Sequence, residues 1–227
     1  MLLKVIASIF LFSFVSPASA TTIDAETRVV LKAIADKYKK LGNWTGTFTQ
    51  ETKSVGLGNS TFNEGQLHFV TPNRFRYSLV RPEVSDFISN GKSAWHVRYA
   101  EGREKPANVL VIQDLRKTEL DRYLVFLRGA KASTPAEEKA LLEAYTPKGK
   151  SSADELVLEL TPKRSAEIAK VSLIFKQKSE APYRVIVEDV LGTRTSVTVN
   201  SFERIKKTDP KLFEPKIPAG SKTETLK

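Results

Sequence analysis

The residues with the most obvious potential for chemistry are the two histidines, His68 and His96, both in segments predicted to be strands. Neither has a carboxylate at metal-ligand spacing, and no HxH or HExxH pattern occurs, so both are interpreted as ordinary strand residues. No GxSxG, Walker or GxGxxG pattern occurs either, and Gly56-Leu57-Gly58 predicts only a loop. The absence of cysteine excludes disulfides, thiolate metal sites and cysteine nucleophiles. We therefore expect no enzyme activity, metal or cofactor; a secreted hydrolase with an unrecognised acid–base pair is the least favoured alternative.

The first twenty residues have the pattern of a secretory signal peptide. Lys4 precedes an apolar run from Val5 to Val15, and Pro17 to Ala20 follow as an A-x-A-like cleavage site. The apolar run has about 11 residues, against the roughly 20 that a membrane-spanning helix needs. We therefore expect residues 1–20 to be removed and residues 21–227 to form one domain in the periplasm. Without a cysteine after the signal, the protein is not expected to be a lipid-anchored lipoprotein.

The charge balance is basic, with 36 Lys plus Arg against 26 Asp plus Glu and a formal net charge of +10. Such a surface can steer a protein toward anionic lipids, acidic proteins or nucleic acid. Here the charges are spread along the chain, and the predicted export argues against nucleic acid. We expect a well-solvated basic surface and no nucleic-acid partner.

The spacing of apolar residues changes from a helical period to a period of two near residue 43. Residues 24–41 predict an amphipathic helix that begins after Asp24 and ends at Gly42. Turn signals such as Asn90-Gly91 then separate about ten short predicted strands. The strands are expected at 43–50, 62–70, 75–80, 84–89, 94–99, 109–112, 155–160, 170–177, 183–189 and 193–200. Helices are predicted at 115–128 and 135–145, and the polar C-terminal end is expected to fray. The pattern indicates a mainly β, α+β domain of the antiparallel sandwich or barrel type.

The predicted strands are rich in aromatic residues, which allows two interpretations. In a small closed barrel such side chains fill the core. In a curved sheet that does not fill itself, they line a cavity for an apolar ligand. The alternation alone favours the core interpretation.

Six short motifs follow the front helix in a fixed order. They are Trp44-x-Gly46-x-Phe48-x-Gln50, Glu64-Gly65-x-Leu67-x-Phe69, Pro72-Asn73-x-Phe75-Arg76-Tyr77, Ser89-Asn90-Gly91-Lys92-x-x-Trp95, Leu160-Thr161-Pro162 and Phe213-x-Pro215-x-x-Pro218-x-Gly220. Each motif is weak by itself. The ordered set resembles the outer-membrane lipoprotein carrier protein family, LolA, over nearly the whole chain after the signal.

The resemblance implies a single unclosed, strongly curved antiparallel sheet of about ten strands, a half-barrel, with helices covering its concave side. It implies a soluble periplasmic carrier that takes acylated lipoproteins from an inner-membrane lipoprotein-releasing ABC transporter complex. The carrier then passes them to an outer-membrane lipoprotein receptor without consuming nucleotide itself. We expect a monomer. A lipid-binding shuttle or a lipoprotein sensor on the same scaffold is the alternative that stays open.

The resemblance also assigns candidate roles to residues. The expected hydrophobic cargo-binding side chains are Trp44, Phe48, Phe69, Phe75, Tyr77, Trp95, Val97, Leu158, Leu160, Leu173 and Phe175. Helix 24–41 and the helical insertion 115–145 are the expected lid, with lid contacts at Val30, Ile34, Leu41 and Thr71. In the family an arginine usually occupies the position of Thr71 and holds the lid closed. Thr71 can make one hydrogen bond but no guanidinium fork. One possibility is that a nearby arginine, Arg74, Arg76 or Arg81, takes over this role. The other is that the lid is held closed more loosely.

Overall fold

The alternating apolar and polar residues from Trp44 onward form one β-sheet, and two helices pack beside it in the part of the chain described below. A computed structural model describes residues 23–55, 58–71, 73–113, 134–165 and 167–226. The helices are α1 (Ala25–Leu41) and α2 (Pro135–Ala144), and Pro210–Phe213 forms a short 3-10 helix. The strands are β1 (Trp44–Lys53), β2 (Ser60–Val70), β3 (Arg74–Arg81), β4 (Val84–Asn90), β5 (Ala94–Tyr99), β6 (Ala107–Ile112), β7 (Tyr145–Ser151), β8 (Glu155–Pro162), β9 (Ile168–Lys176), β10 (Arg184–Asp189), β11 (Arg194–Arg204) and β12 (Lys222–Leu226). The predicted signal peptide and the predicted helix at 115–128 lie outside the described residues.

The strands lie in the order β12-β6-β5-β4-β3-β2-β1-β11-β10-β9-β8-β7. Different strands end the order on its two sides, so the sheet is unclosed, which confirms that part of the prediction. Two corrections apply: the described residues form a sheet of 12 strands rather than about ten, and β12 pairs with β6 in parallel rather than antiparallel. The strong curvature expected from the family resemblance stays a prediction.

The two strands missing from the prediction are the edge strands β7 and β12. In β7 the stretch from Pro147 to Gly149 has the residue types of a turn, yet proline is tolerated in an edge strand. In β12 all five residues are exposed, so the strand has no apolar alternation to reveal it. Both segments are therefore strands because their backbones pair with a neighbouring strand, and no local sequence signal indicates that pairing.

Helix α1 begins and ends where local chemistry requires. The Asp24 carboxylate accepts hydrogen bonds from Thr27 N (2.7 Å) and Thr27 Oγ1 (2.8 Å). These bonds, led by the one from the Thr27 backbone, lower the pKa of Asp24. The helix ends at Gly42, whose φ of 65° favours glycine. Val30 and Ile34 lie on one side of α1 and are fully buried.

The strand register divides the side chains of the sheet between two faces, because paired residues of adjacent antiparallel strands point to the same side. One paired series runs through Gly149, Leu158, Leu173, Val185, Val197, Gln50 and Asn63. We call this side the helix-covered face, because α1 packs directly against Gly149. The largest cluster of buried apolar residues lies here, whereas two smaller clusters occupy the opposite face.

Candidate functional site

The first turn of α1 closes the outer edge of β7. Gly149 N–H donates to Thr27 Oγ1 at 2.8 Å, and Ser151 N–H donates to Glu26 Oε1 at 2.9 Å. Pro147, two residues earlier, has no N–H. Positions 147, 149 and 151 lie along the outer edge of β7. Unpaired backbone N–H groups there would make the edge strand prone to pair with another chain. Helix α1 therefore supplies acceptors for the N–H groups of this edge, and two of its side-chain oxygens attach it to β7.

Gly149 also determines how closely α1 approaches the sheet. A Cβ atom at this position would lie 2.7 Å from Thr27 Cα and 2.8 Å from Val30 Cβ, and neither atom is at the end of a flexible side chain. We expect Gly149→Ala to push α1 away from β7 and to lower the free energy of unfolding by about 1–3 kcal/mol in chemical denaturation. The control is Lys150→Ala at the exposed neighbouring position, which should change it by no more than about 0.5 kcal/mol. Equal effects of the two substitutions would contradict the close packing of α1.

The second half of α1 is held by polar and aromatic contacts. Lys37 Nζ donates to the carbonyl oxygens of Gln177 (2.9 Å) and Ser179 (2.6 Å). Burial lowers the pKa of Lys37. The Tyr38 ring meets Phe175 edge-on at 5.3 Å, and burial raises the pKa of Tyr38. Both ends of the helix therefore have specific attachments, with an apolar stripe between them.

Nine of the eleven expected cargo-binding residues lie on the helix-covered face. Eight of them are no more than 4% exposed and belong to a single cluster, and Tyr77 packs against it. They are Trp44, Phe48, Phe69, Phe75, Tyr77, Leu158, Leu160, Leu173 and Phe175. Three expected lid contacts, Val30, Ile34 and Leu41, are buried in the same cluster. The structure thus brings lid and strand residues together in one core; a cargo-binding role for them stays a prediction.

Phe48 packs against Gly65 and stacks on the Tyr77 ring on this face. Its ring packs directly over Gly65, where any Cβ atom would overlap the ring. On its other side it stacks on Tyr77, with centroids 4.2 Å apart and an interplanar angle of 23°. The Tyr77 hydroxyl donates to Gln50 Oε1 at 2.7 Å, and burial raises the pKa of Tyr77 well above its ordinary value. Gly65 and Gln50 therefore shape the apolar face without being apolar themselves.

Trp44 contributes an unpaired donor to the same face. Its side chain is fully buried beside Phe202, with ring centroids 5.5 Å apart. The indole Nε1 has no hydrogen-bond acceptor in the described part of the chain. A buried donor without an acceptor costs about 1–3 kcal/mol, so any oxygen atom that reached Nε1 would be bound favourably.

Trp95 and Val97 are exceptions, because the structure places them on the opposite face. Strand β5 pairs with β4 so that His96 faces Phe87, while Trp95 faces Ile88 and Val97 faces Asp86. Both residues join a separate apolar cluster with Tyr99 and Val109. Both sides of β5 carry bulky side chains, so alternation alone could not show which side faced α1, and a cargo-binding role for these two residues stays a prediction.

Thr71 contacts the connection after α1 rather than the helix itself. Its backbone N–H and its hydroxyl both donate to Asn43 Oδ1, at 3.0 and 3.2 Å. The three candidate substitute arginines are engaged elsewhere: Arg74 lies over the Phe213 ring, Arg76 binds Asp86, and Arg81 binds Glu64. Among the contacts described for these arginines none is to α1, and the choice between the two expected latches stays a prediction.

The two histidines lie on opposite faces of the sheet. His96 meets the Phe87 ring edge-on at 6.1 Å on the helix-covered face, whereas His68 pairs with Arg76 on the other face. Burial, followed by the charges of Arg98 and Arg76 respectively, lowers the pKa of both histidines below the ordinary 6.5. Within the described residues, no group of three or more His, Cys, Asp or Glu side chains is placed to hold a metal ion.

These lowered pKa values predict a loss of stability in acid. The unfolded chain binds protons at the histidines more readily than the folded protein, so stability is retained above pH 6.5 and falls as the pH drops below it. We expect the double variant His68→Asn/His96→Asn to show a smaller loss of unfolding free energy between pH 7.5 and pH 5 than the wild type. Denaturation at both pH values checks this, and an unchanged pH slope would contradict it.

Four contributors to this site were not among the predicted site residues: Thr27, Gln50, Gly65 and Gly149, although Gln50 and Gly65 belong to two of the family motifs. For the two glycines a signal existed, because a glycine inside a strand often marks the close approach of another group. Thr27 and Gln50 carried no such signal, since their partners Gly149 and Tyr77 are distant in the chain.

The described residues form an unclosed sheet with a helix packed on its apolar face, which is an open-sheet α+β architecture. The family described as outer membrane lipoprotein carrier protein LolA matches residues 39–216, and the chain belongs to this family. A search of curated proteins gave no significant match. Among the described residues, no helix has the length and apolar character needed to cross a membrane.

Solved structures with a similar fold share little sequence with this chain. An uncharacterized conserved protein from Thermus thermophilus has 12% identity and a TM-score of 0.52, over 88% of this chain and 98% of that chain. A LolA superfamily protein from Nitrosomonas europaea has 14% identity and a TM-score of 0.42, over 85% and 99%. The MucA/MucB complex of Pseudomonas aeruginosa has 11% identity and a TM-score of 0.44, over 83% and 60%. At 12% identity, the likeness to the Thermus thermophilus structure concerns the fold alone.

Proposed function

We propose that this protein is a periplasmic, monomeric, non-enzymatic carrier that shields the acyl chains of lipoproteins and delivers them from the inner to the outer membrane. The single observation that carries the proposal is the continuous apolar face beneath α1, in a chain that belongs to the lipoprotein carrier family. Its partners would be acylated lipoproteins, an inner-membrane lipoprotein-releasing ABC transporter complex and an outer-membrane receptor, with no nucleic acid involved.

The energetics of acyl transport require a large apolar surface that can be opened and closed. Exposure of a methylene to water costs about 0.8 kcal/mol, so a 16-carbon chain needs on the order of 12 kcal/mol of shielding. In the structure the residues of the apolar face are already buried against one another and against α1. We propose that uptake of an acyl chain displaces α1 and that the cargo stabilises the displaced state.

The attachments of α1 are suited to such a movement. Besides its apolar stripe, α1 is held by the hydrogen bonds from Gly149 and Ser151 at one end, and at the other end by those from Lys37 and by one from Arg204 to the Lys40 carbonyl oxygen. Each of these hydrogen bonds can be replaced by a hydrogen bond to water. The hydrogen-bonded sheet beneath α1 is continuous from β12 to β7 and can stay intact. The unpaired Trp44 Nε1 would offer a donor to an ester or amide carbonyl of the cargo.

The experiment that tests the proposal is transfer. The exported protein is loaded with a triacylated lipoprotein, a soluble one-to-one complex is isolated, and outer-membrane vesicles are added. Formation of the complex and movement of the lipoprotein to the vesicles are expected. Failure to hold any lipoprotein in solution would overturn the carrier function.

The cysteine-free chain allows a matched test of the role of α1. Glu26 and Ser151, which are hydrogen-bonded in the structure, are replaced together by cysteine. Bridging the two cysteines of this Glu26→Cys/Ser151→Cys variant with a short reducible thiol crosslinker would tie α1 to β7, and we expect it to abolish loading, with recovery on reduction. Equal loading of both forms would show that α1 is not the moving element.

A lipid-binding shuttle or a lipoprotein sensor fits the family and the apolar face equally well. The native ligand extracted from the purified protein separates these functions. Acylated protein supports the carrier, whereas free phospholipid or glycolipid supports the shuttle.

A further inference from the structure

A buried carboxylate organises two arginines on the opposite face of the sheet. Asp86 is fully buried, and it accepts hydrogen bonds from Arg76 Nη2 (2.8 Å), Ser78 Oγ (2.5 Å), the Tyr99 hydroxyl (3.1 Å) and Arg103 Nη1. Both ion pairs use the same oxygen, Oδ2. One negative charge is therefore shared by two guanidinium groups. The carboxylate accepts from four donors, which is more than a buried carboxylate needs.

Further contacts fix both guanidinium groups in place. Arg76 also donates to Ser78 Oγ and to the Leu212 carbonyl oxygen, each at 3.3 Å. Arg103 donates to the Leu79 carbonyl oxygen at 3.2 Å and lies 5.2 Å from the centre of the Tyr99 ring. The side chains of Arg76 and Arg103 nevertheless remain 18% and 35% exposed. They are held rigidly and still have one side open.

That open side leads into a cavity. The cavity has a volume of about 500 Å³ and is lined by Arg76, Tyr99, Arg103, Glu104 and Lys216, with residues 217–219 completing the wall. The lining carries three cations and one carboxylate, and Asp86 behind it adds a second negative charge. The site therefore has a net charge of one positive unit. Glu104 and Lys216 are both exposed, so the two rigid charges at the base of the cavity are the arginines.

We propose that this cavity is a binding site for a phosphate group, either free or as part of a lipid headgroup. Two preoriented guanidinium groups match the oxygen geometry of phosphate, and each has N–H groups left over after its bonds to Asp86 and the backbone. The exposed Lys216 adds a flexible third cation at the rim, where a tetrahedral anion still has a free oxygen. The site is on the face away from α1 and does not depend on the proposed cargo transport.

Calorimetric titration of the exported protein with inorganic phosphate in physiological chloride tests the site. One saturable site is expected. Lys216→Gln, which removes a cation outside the Asp86 network, should weaken binding roughly two- to fivefold. Arg103→Gln should weaken it by more than about tenfold. The matched control is Lys207→Gln, an exposed lysine of the same C-terminal segment that does not line the cavity, and its affinity should be unchanged.

Two further titrations identify the source of the phosphate group. If glycerol 3-phosphate binds and phosphatidylglycerol vesicles do not, the ligand is a soluble phosphate compound. If the vesicles bind as well, and Lys216→Gln weakens that binding, the ligand is a headgroup. No saturable phosphate binding, or equal weakening by Lys207→Gln and Lys216→Gln, would overturn the proposal, since only diffuse attraction to a basic protein would remain.

Discussion

Replacement of Asp86 by alanine is expected to lower the free energy of unfolding by about 3–5 kcal/mol. The carboxylate is fully buried and accepts from Arg76, Ser78, Tyr99 and Arg103. Its removal leaves two guanidinium groups facing each other without their shared counter-charge, together with two hydroxyls that lose an acceptor. Chemical denaturation followed by tryptophan fluorescence measures the loss.

The control removes a carboxylate from an exposed arginine pair in the same half of the sheet. Arg81 and Glu64 are paired across β3 and β2 with side-chain exposures of 72% and 51%. Glu64→Gln should therefore cost no more than about 1 kcal/mol. If Asp86→Ala cost no more than this, the buried network would not contribute to stability as the geometry indicates.

The Asp86→Ala variant also provides a test of the proposed phosphate site. Loss of Asp86 raises the positive charge at the base of the cavity, so a bound phosphate could partly replace the missing carboxylate. We expect added phosphate to stabilise the Asp86→Ala variant more than the wild type in denaturation. Equal stabilisation of both proteins would count against binding at this cavity.

Replacement of Phe48 by alanine is the second substitution with a large expected effect, a loss of about 3–5 kcal/mol in unfolding free energy. The ring is 2% exposed and lies between Gly65 and the Tyr77 ring. No neighbouring backbone can fill the space, because β1 is paired on both sides, with β2 and with β11. The substitution therefore leaves a cavity in the centre of the apolar face.

Phe62→Ala is the matched control for Phe48→Ala. Phe62 lies on the neighbouring strand β2, on the opposite face, and is 57% exposed. Its truncation should change the free energy of unfolding by no more than about 0.5 kcal/mol. Similar losses for both phenylalanines would show that the helix-covered face is not the main core.

Much of the secondary structure could be predicted from the sequence because it rests on local signals. Helix α1 has a capping aspartate, an apolar stripe and a terminal glycine within a few residues of one another. All ten predicted strands correspond to observed strands, since each is a run of β-favouring residues bounded by turn signals. The edge strands β7 and β12 were missed, because proline and glycine in one and exposed polar residues in the other carry no alternation.

The candidate site was predictable only in part. Side chains such as Phe48, Phe75 and Leu173 were expected to lie on one face, and the strand register places all three on the helix-covered face. Trp95 could not be assigned to a face, because β5 has bulky residues on both sides and the register with β4 decides which of them faces α1. The roles of Gly149 and Asp86 were invisible, since they depend on partners that other strands and α1 bring near.

The sequence by itself determined the apolar periodicity, the helix limits, the turns, the lack of cysteine chemistry and the resemblance to the carrier family. These are properties of neighbouring residues or of motif order. Only the tertiary structure decided the order of the strands, the closure of the β7 edge by α1 and the pairing of two arginines with Asp86. The physical reason is that each of these features joins residues far apart in the chain. Their free energy therefore depends on distances that no local pattern contains.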